Sequence, residues 1–280
     1  MSKGRQLNKR SMSDILLQIV YVILGLTIAF PIIYAFFISF MEPSQVLRGG
    51  VNIFPEKWTL ENYYTALHSA PLMRFMINSL IVSLASSTVR VLISALAAFA
   101  FAFLRFRFKN FWFMAILATM MIPADIVLVA NYQTVSRLDL INTYLGMMIV
   151  FFVSAMNIFQ FRQSFLTFST SLKEASHIDG CSNFMFFWKI LLPTNVSTVM
   201  TVFITAFVGS WNTYLWPLMV TNQTEMRTVQ VGITMLNFSE GTVYGPIMAA
   251  SMIVLLPTLV LFLVFQKKLV TGMMAGGVKG

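Results

Sequence analysis

Charge is scarce in this sequence. Only 10% of the 280 residues are Asp, Glu, Lys or Arg, while 58% are hydrophobic. A soluble globular domain carries about 25% charged residues. Apolar runs recur, and each is long enough to cross a hydrocarbon core about 30 Å thick. The composition therefore excludes an ordinary soluble domain and predicts an all-α integral membrane protein.

Cysteine and histidine are nearly absent. The chain has one cysteine, Cys181, and two histidines, His68 and His177. A disulfide within the chain is excluded, and no cluster of closely spaced ligands predicts a metal site. No carboxylate pair and no nucleophile with a neighbouring base stands out, so the sequence does not predict an enzyme.

Acidic residues are absent from the interiors of the apolar segments. All ten Asp and Glu lie in loops, in the termini or at segment edges, as Asp125 does near the end of residues 111–129. Carriers coupled to protons or sodium ions often hold carboxylates at mid-membrane. This absence argues against a secondary sugar carrier, which stays open as an alternative class, as does a membrane assembly protein that transports nothing. A P-loop is also excluded, since Val278 stands where its lysine is required. These absences favour a transport protein whose energy comes from another subunit.

The apolar runs predict about six transmembrane helices in a single domain that covers residues 1–280. Pro31 and Pro257 fall inside two of them and predict kinks, which neighbouring helices can tolerate. The predicted segments cover residues 15–40, 76–104, 111–129, 143–161, 198–220 and 245–265.

The 19 lysines and arginines are distributed unevenly between the two sides of these segments. If the amino terminus is cytoplasmic, most of them are cytoplasmic too, and Arg90 lies inside the second segment. The positive-inside rule therefore places both termini in the cytoplasm and accounts for the net charge of +9 without nucleic acid. The basic residues left on the outer side are Arg48, Lys57, Arg74, Arg137 and Arg227.

A charged stretch, EASHIDGCSNFMFFWKILLP, interrupts the apolar sequence at residues 174–193. Residues 173–179 predict a short helix, and Gly180 can end it because glycine tolerates a left-handed backbone. A second short helix over residues 184–190 would lead to Pro193, which suits the first turn of the next segment. The pattern predicts a helix–turn–helix knob that projects into the cytoplasm.

This stretch resembles the loop that marks the integral-membrane subunits of ATP-binding-cassette (ABC) importers, whose pattern is E-A-A-x3-G-x9-I-x-L-P. One position departs from the pattern, since Ser176 replaces the second alanine. The resemblance implies that residues 171–193 dock in a groove of a cytoplasmic ATPase and that the glutamate pairs with a basic residue there. The residues implied in coupling are Glu174, Ala175, Ser176, Asp179, Gly180, Ile190, Leu192 and Pro193.

The resemblance extends over nearly the whole chain and is closest to the second permease subunit of maltose-type carbohydrate importers. WTLENY (58–63), GSWNTYLWPL (209–218) and GMMAGGVKG (272–280) carry it. It implies a type I importer permease of the bacterial inner membrane. It also implies a homologous second permease subunit, an ATPase dimer that binds ATP and Mg²⁺, and an extracytoplasmic substrate-binding protein. No cofactor is implied for this chain. The tail expected at the ATPase interface is Gly276, Gly277, Val278, Lys279 and Gly280.

Polar and aromatic residues inside the segments are candidates for the substrate pathway. Trp211, Asn212 and Tyr214 lie close together in the fifth segment, and an aromatic face beside an amide suits a sugar ring and its hydroxyls. Asn157 and Gln160 form a similar set in the fourth segment. The alternatives are aromatic residues at the membrane interface and amides that bond neighbouring helices.

Arg90 is the one charge near the centre of a predicted segment. A charge there costs at least about 2.5 kcal/mol on insertion scales, so it should face the bundle interior or a water-filled cavity. Two interpretations stay open. Arg90 pairs with backbone carbonyls or a polar group of a partner subunit, or it attracts an anionic substrate such as glycerol 3-phosphate. Family members that import this compound look similar here and have a basic residue at this level.

Overall fold

The computed structural model describes residues 12–48, 52–236 and 244–277, and within these ranges the secondary structure is entirely helical. Short 3₁₀ helices cover Thr119–Met121, Ile149–Phe151 and Thr224–Met226. The α-helices are α1 (Met12–Ile38), α2 (Pro43–Leu47), α3 (Glu61–Ser69), α4 (Leu72–Phe103), α5 (Lys109–Ala118), α6 (Leu128–Arg137), α7 (Tyr144–Met148), α8 (Ala155–Leu166), α9 (Thr170–Ile178), α10 (Asn183–Phe186), α11 (Leu192–Thr194), α12 (Val196–Trp211), α13 (Leu215–Val220), α14 (Val229–Thr234) and α15 (Tyr244–Gly277).

The chain divides into two compact units. The first comprises Met1–Ser69 with Asn237–Ile253, and the second comprises Ala70–Leu236 with Val254–Gly280. The single domain expected over residues 1–280 stays a prediction.

The loop that follows α1 in the first unit is folded around Asn62. The side chain of Asn62 is buried, and its Nδ2 donates to the carbonyls of Ser39 and Met41 at 3.1 and 2.7 Å. A Cβ at Gly245 would overlap the Asn62 amide, so α15 can approach this closely only with glycine. These contacts fasten α3 to the end of α1.

The second unit is built around α4, which packs mainly against α8 and α12. Small residues on the buried side of α4, including Ser86, Ala95 and Ala98, let these helices come close together. Ser86 Oγ donates to Ser210 Oγ of α12 at 3.1 Å. One long helix therefore positions both of its neighbours.

Within the described ranges, three helices are long and apolar enough to cross a membrane: Asp14–Ile38, Leu72–Phe103 and Tyr244–Gln266. They correspond to the first, second and sixth predicted segments, and α1 and α15 run through Pro31 and Pro257. Two bent helix pairs raise the number to as many as five, if each pair counts as one span. Tyr144–Phe151 meets Ala155–Leu166 at 51°, and Asn183–Thr194 meets Val196–Trp211 at 80°.

The prediction of a continuous third helix over residues 111–129 is wrong. α5 ends at Ala118 and is followed by a 3₁₀ turn. Ile122 then has an extended backbone (φ −88°, ψ 116°), because the proline that follows it disfavours the helical conformation. The fifth helix is also shorter than predicted, since α12 ends at Trp211 and α13 begins only at Leu215.

Candidate functional site

The EAA-like segment (residues 170–194) turns at Gly180. The Gly180 N–H donates to the His177 carbonyl at 3.0 Å, and the Cys181 N–H donates to the Ser176 carbonyl at 2.9 Å. These two bonds form a Schellman cap, which needs a left-handed residue, and Gly180 has φ +77°. A Cβ at this position would meet no atom within 4 Å. Glycine is therefore required for its backbone conformation and not for space, and the predicted turn is confirmed.

Three buried side chains anchor the second half of the EAA-like segment. Phe186, Phe187 and Leu191 are at most 1% exposed. The rings of Phe186 and Phe103 lie 5.7 Å apart, and those of Phe187 and Phe99 lie 5.3 Å apart. Phe187–Leu191 forms a π-helical turn, a feature found frequently at functional sites. The segment is thereby held to the carboxyl-terminal part of α4.

Other side chains of the EAA-like segment are exposed. Ile178 is 86% exposed and Phe184 is 69% exposed, and the carboxylates of Glu174 and Asp179 are exposed as well. Large apolar side chains that stand clear of the fold beside acidic groups are typical of an interaction surface. The segment presents this surface from a firmly packed base.

The motif residues divide by burial. Ser176 is 6% exposed and donates its hydroxyl to the Lys173 carbonyl at 2.7 Å, so only a small side chain suits this position. Ile190 and Leu192 pack, partly buried, against the phenylalanine core. The exposed members are Glu174, Ala175, Asp179, Gly180 and Pro193. Pro193 was expected to open the next transmembrane segment, but it lies in α11, before the 80° bend that leads to α12.

Three cations from three different elements bind the last carbonyls of α4, and sequence reasoning missed them. Positive charge is favourable at a helix carboxyl terminus, where the carbonyls have no partner within the helix. No sequence signal links the cations, because they lie far apart along the chain. The bonds run from Arg162 Nε to the Phe101 carbonyl at 3.3 Å, from Lys109 Nζ to the Ala102 and Leu104 carbonyls at 3.2 and 3.0 Å, and from Lys173 Nζ to the Phe103 carbonyl at 3.4 Å.

These cations also affect one another. Burial lowers the pKa of Lys109 below 10.5, and the positive charges of Arg162 and Lys173 lower it further. Burial likewise lowers the pKa of Lys173 below 10.5, with a second contribution from Arg105. We call Arg105, Lys109, Arg162 and Lys173 the α4 cation cluster. Since Lys173 belongs to α9, the cluster ties the EAA-like segment to α4.

The bend between the EAA-like segment and α12 is centred on Asn195, which sequence reasoning also missed. Its Nδ2 donates to the Leu191 carbonyl at 2.8 Å. Its Oδ1 accepts a bond of 2.8 Å from Ser164 Oγ in α8, and the same hydroxyl lies 2.8 Å from Thr198 Oγ1 in α12. Asn195 therefore joins three helical elements at one point.

The structure separates the three substrate candidates of the fifth segment. Trp211 is 1% exposed and stacks on Phe207 with ring centroids 5.8 Å apart, so this chain covers its ring in this conformation, and its contact with a sugar stays a prediction. Asn212 is exposed and accepts a bond of 3.3 Å from Gln230 Nε2. Tyr214 is 39% exposed. Asn212 and Tyr214 remain available to a ligand.

The two candidates of the fourth segment lie in α8. Asn157 is 7% exposed. Gln160 is half-buried, and its Oε1 is buried with no hydrogen-bond partner in the described part of the chain. A buried acceptor without a partner is rare in a folded protein and is suited to a hydroxyl from outside the chain. Gln160 is therefore the better candidate of the two for a substrate contact.

Arg90 reaches a break in the fourth segment. Its Nε donates to the Phe151 carbonyl, and its guanidinium lies 5.6 Å from the centre of the Phe151 ring. Phe151 ends the 3₁₀ helix between α7 and α8, where carbonyls lack helical partners. This contact is of the kind that the structural interpretation of Arg90 requires.

The expected carboxyl-terminal contact is only partly covered by the structure. Gly276 and Gly277 form the last residues of α15. Val278, Lys279 and Gly280 lie outside the described residues.

Comparison with protein families shows which family this chain belongs to. Residues 90–274 match the model of the binding-protein-dependent transport system inner membrane component. This range covers more than half of the chain and includes Arg90, the EAA-like segment and α12.

Comparison with individual proteins gives full-length similarity. The chain is 30% identical over 276 residues to the sn-glycerol-3-phosphate transport system permease protein UgpE of Brucella abortus (strain 2308), covering 95% of this chain and 98% of that protein. It is 31% identical over 274 residues to the protein of the same name from Yersinia pestis bv. Antiqua (strain Antiqua), covering 95% and 97%.

A solved structure has the same fold. It is the crystal structure of a bacterial ABC transporter involved in the import of the acidic polysaccharide alginate. One of its chains aligns with a TM-score of 0.82 and 23% identity over 92% of this chain and 98% of that chain. The all-α permease architecture expected from the sequence is confirmed.

Proposed function

Because this chain belongs to the family of binding-protein-dependent transport system inner membrane components, we propose that it carries a carbohydrate through the membrane as the permease subunit of a bacterial ABC importer. It is a transport subunit and not an enzyme. In this proposal ATP and Mg²⁺ bind a partner ATPase dimer. A homologous second permease completes the channel, and an extracytoplasmic binding protein delivers the substrate.

The observation that carries the proposal is the EAA-like segment. It exposes Glu174, Ile178 and Phe184 while Phe186 and Phe187 hold its base in the core. A surface held this rigidly can transmit a displacement instead of absorbing it. When the ATPase closes on ATP, the segment moves with it, and α4, α8 and α12 shift against one another to open the cavity to the outside.

The proposed orientation follows from charge. The EAA-like segment and the α4 cation cluster lie in the cytoplasm, as do both termini, and the protein spans the bacterial inner membrane several times. The positive-inside rule supports this arrangement, because most lysines and arginines then face the cytoplasm.

Glycerol 3-phosphate is the second candidate substrate. The names of the relatives from Brucella and Yersinia favour it. A neutral carbohydrate is preferred here because Arg90, the charge expected to attract an anion, is engaged with the Phe151 carbonyl. The exposed Asn212 and Tyr214 and the unpartnered Oε1 of Gln160 are the side chains proposed to contact sugar hydroxyls.

The experiment reconstitutes the permease with its partner subunits in proteoliposomes and measures uptake of labelled neutral sugars and of glycerol 3-phosphate. Uptake should require ATP inside and binding protein outside, and it should resist a protonophore. Glu174→Lys should abolish stimulated ATP hydrolysis and uptake, because it reverses the charge offered to the ATPase. Glu61→Lys, the same change at an exposed position of α3, is the matched control and should leave both near wild type.

Two results would overturn the proposal. Uptake that a protonophore abolishes and ATP depletion does not affect would identify a secondary carrier. Full ATP-driven uptake by Glu174→Lys at normal protein level would remove the coupling role from the EAA-like segment.

A further inference from the structure

The carboxyl-terminal end of α4 carries positive charge that no acidic group neutralises within the described ranges. Arg48–Glu56 and Lys57–Glu42 are ion pairs among the described side chains of residues 14–46, 48, 52–236 and 244–266, and both lie far from this end of α4 in sequence. Three members of the α4 cation cluster, Lys109, Arg162 and Lys173, bind backbone carbonyls, which compensate only part of the charge. Mutual repulsion remains, and it contributes to the lowered pKa values of Lys109 and Lys173.

An open cleft of about 510 Å³ lies beside this cluster, in the turn between α4 and α5. Its polar lining is Arg105, Lys109 and Asn110, and its aromatic lining is Phe106, Phe108 and Phe111. Phe108 and Phe111 are 61% and 64% exposed, so large apolar faces stand open next to the cations.

The backbone of this turn is held in an uncommon conformation. Phe108 has φ +60°, a left-handed value that costs a non-glycine residue about 1–2 kcal/mol. The guanidinium of Arg107 lies 4.8 Å from the centre of the Phe108 ring. Strained backbone of this kind persists where the surrounding structure over-determines it and is enriched at functional sites.

We propose that this cleft binds the headgroup of an anionic phospholipid, with the phosphate between Arg105 and Lys109 and the acyl chains along Phe108 and Phe111. The position supports this occupant. α4 is long and apolar enough to cross a membrane, and it ends at Phe103, so the cleft lies where a spanning helix meets the headgroup layer. Basic pockets at this level bind anionic lipid headgroups, and aromatic rings favour the same layer.

A free phosphate ion and an acidic protein surface fit less well. A free anion would use the cations and leave the exposed phenylalanines unexplained. An acidic surface of the ATPase could pair with the cations of the cleft. It would also have to cover the exposed phenylalanine rings, which lie at the edge of the hydrocarbon layer. A phospholipid would use both parts of the lining, since its phosphate would bind the cations and its acyl chains would cover the phenylalanines.

The test uses the full-length permease purified with its partner subunits in a neutral detergent. Phosphatidylglycerol or phosphatidylcholine is titrated in the same detergent, and bound lipid is measured by native mass spectrometry. The wild type should retain phosphatidylglycerol selectively. Arg105→Gln should weaken this binding about fivefold, as expected for one basic residue near a membrane surface. Arg105 is exposed, so the variant should fold.

Two further variants and one competitor sharpen the result. Arg105→Lys keeps the charge and should retain most of the binding. Arg137→Gln removes an exposed charge at the end of α6 and should leave the binding unchanged. Inorganic phosphate should compete poorly, because it lacks acyl chains.

Four outcomes would overturn the proposal. Equal affinity of wild type and Arg105→Gln would remove the cleft as the site. An equal loss in Arg137→Gln would indicate a response to overall charge. Efficient competition by inorganic phosphate, or loss of the ATPase subunit from Arg105→Gln with lipid binding intact, would assign the cleft to a free anion or to a protein interface.

Discussion

Ser164 Oγ donates to Asn195 Oδ1 at 2.8 Å, and this bond ties α8 to the 80° bend between the EAA-like segment and α12. Asn195 also donates to the Leu191 carbonyl. A displacement of the EAA-like segment therefore reaches α8 and α12 through one side chain as well as through the backbone.

We predict that Asn195→Leu, which keeps the size of the side chain, lowers ATP-driven uptake about fivefold, since each lost hydrogen bond is worth about 1 kcal/mol. Basal ATP hydrolysis by the assembled complex should change less than uptake, because the substitution weakens the link between the EAA-like segment and helices α8 and α12. Ser164→Ala should have the same direction of effect. The measurement is uptake and ATP hydrolysis on the same proteoliposomes. Thr167→Ala, which removes an exposed hydroxyl of the same region, is the control, and an equal loss there would contradict the prediction.

Substitutions at Gly180 should impair transport according to how well the new residue adopts a left-handed backbone, and not according to its size. Gly180→Val places a β-branched residue at φ +77° and should cost about 1–2 kcal/mol, which loosens the Schellman cap and lowers stimulated ATP hydrolysis and uptake. Gly180→Asn should stay close to wild type, because asparagine tolerates the left-handed region and no neighbour obstructs its Cβ. Comparison of the two variants in the reconstituted complex tests this. Equal behaviour of the two would show that the left-handed backbone does not matter.

Arg90 should act mainly through assembly. Its bond to the Phe151 carbonyl is charge-assisted, and such bonds contribute about 1.5–3 kcal/mol. Arg90→Gln should therefore lower the yield of assembled complex, and Arg90→Lys should do so too, since an ammonium on a flexible stem replaces a planar fork. The surviving complex should show normal half-saturation by substrate. A raised half-saturation at normal yield would instead favour attraction of an anionic substrate.

The tail should act on the ATPase. If residues 276–280 enter the ATPase interface, as the family resemblance implies, their deletion should lower the ATPase turnover number of the purified complex without changing its subunit composition. Deletion of Gly280 alone is the milder comparison. An unchanged turnover number in the longer deletion would show that the tail has no part in ATP hydrolysis.

The sequence by itself determined the features that depend on local chemistry. Apolar length decided that α1, α4 and α15 can cross a membrane, because the bilayer sets the number of residues needed. Gly180 decided the turn of the EAA-like segment, since the left-handed conformation is open to glycine at little cost. The break before Pro123 was equally local, and the apolar pattern of residues 111–129 concealed it.

Only the tertiary structure decided which side chains share a site. From the sequence Trp211 is a candidate ligand contact, and only the structure shows that Phe207 stacks on its ring. Likewise, only the structure shows that Arg90 donates to the Phe151 carbonyl. The α4 cation cluster gathers residues whose separation along the chain hides their proximity. Helix packing brings such residues together through contacts between distant segments. A periodic apolar pattern shows that a helix has a buried side, but it does not specify the neighbour that covers it.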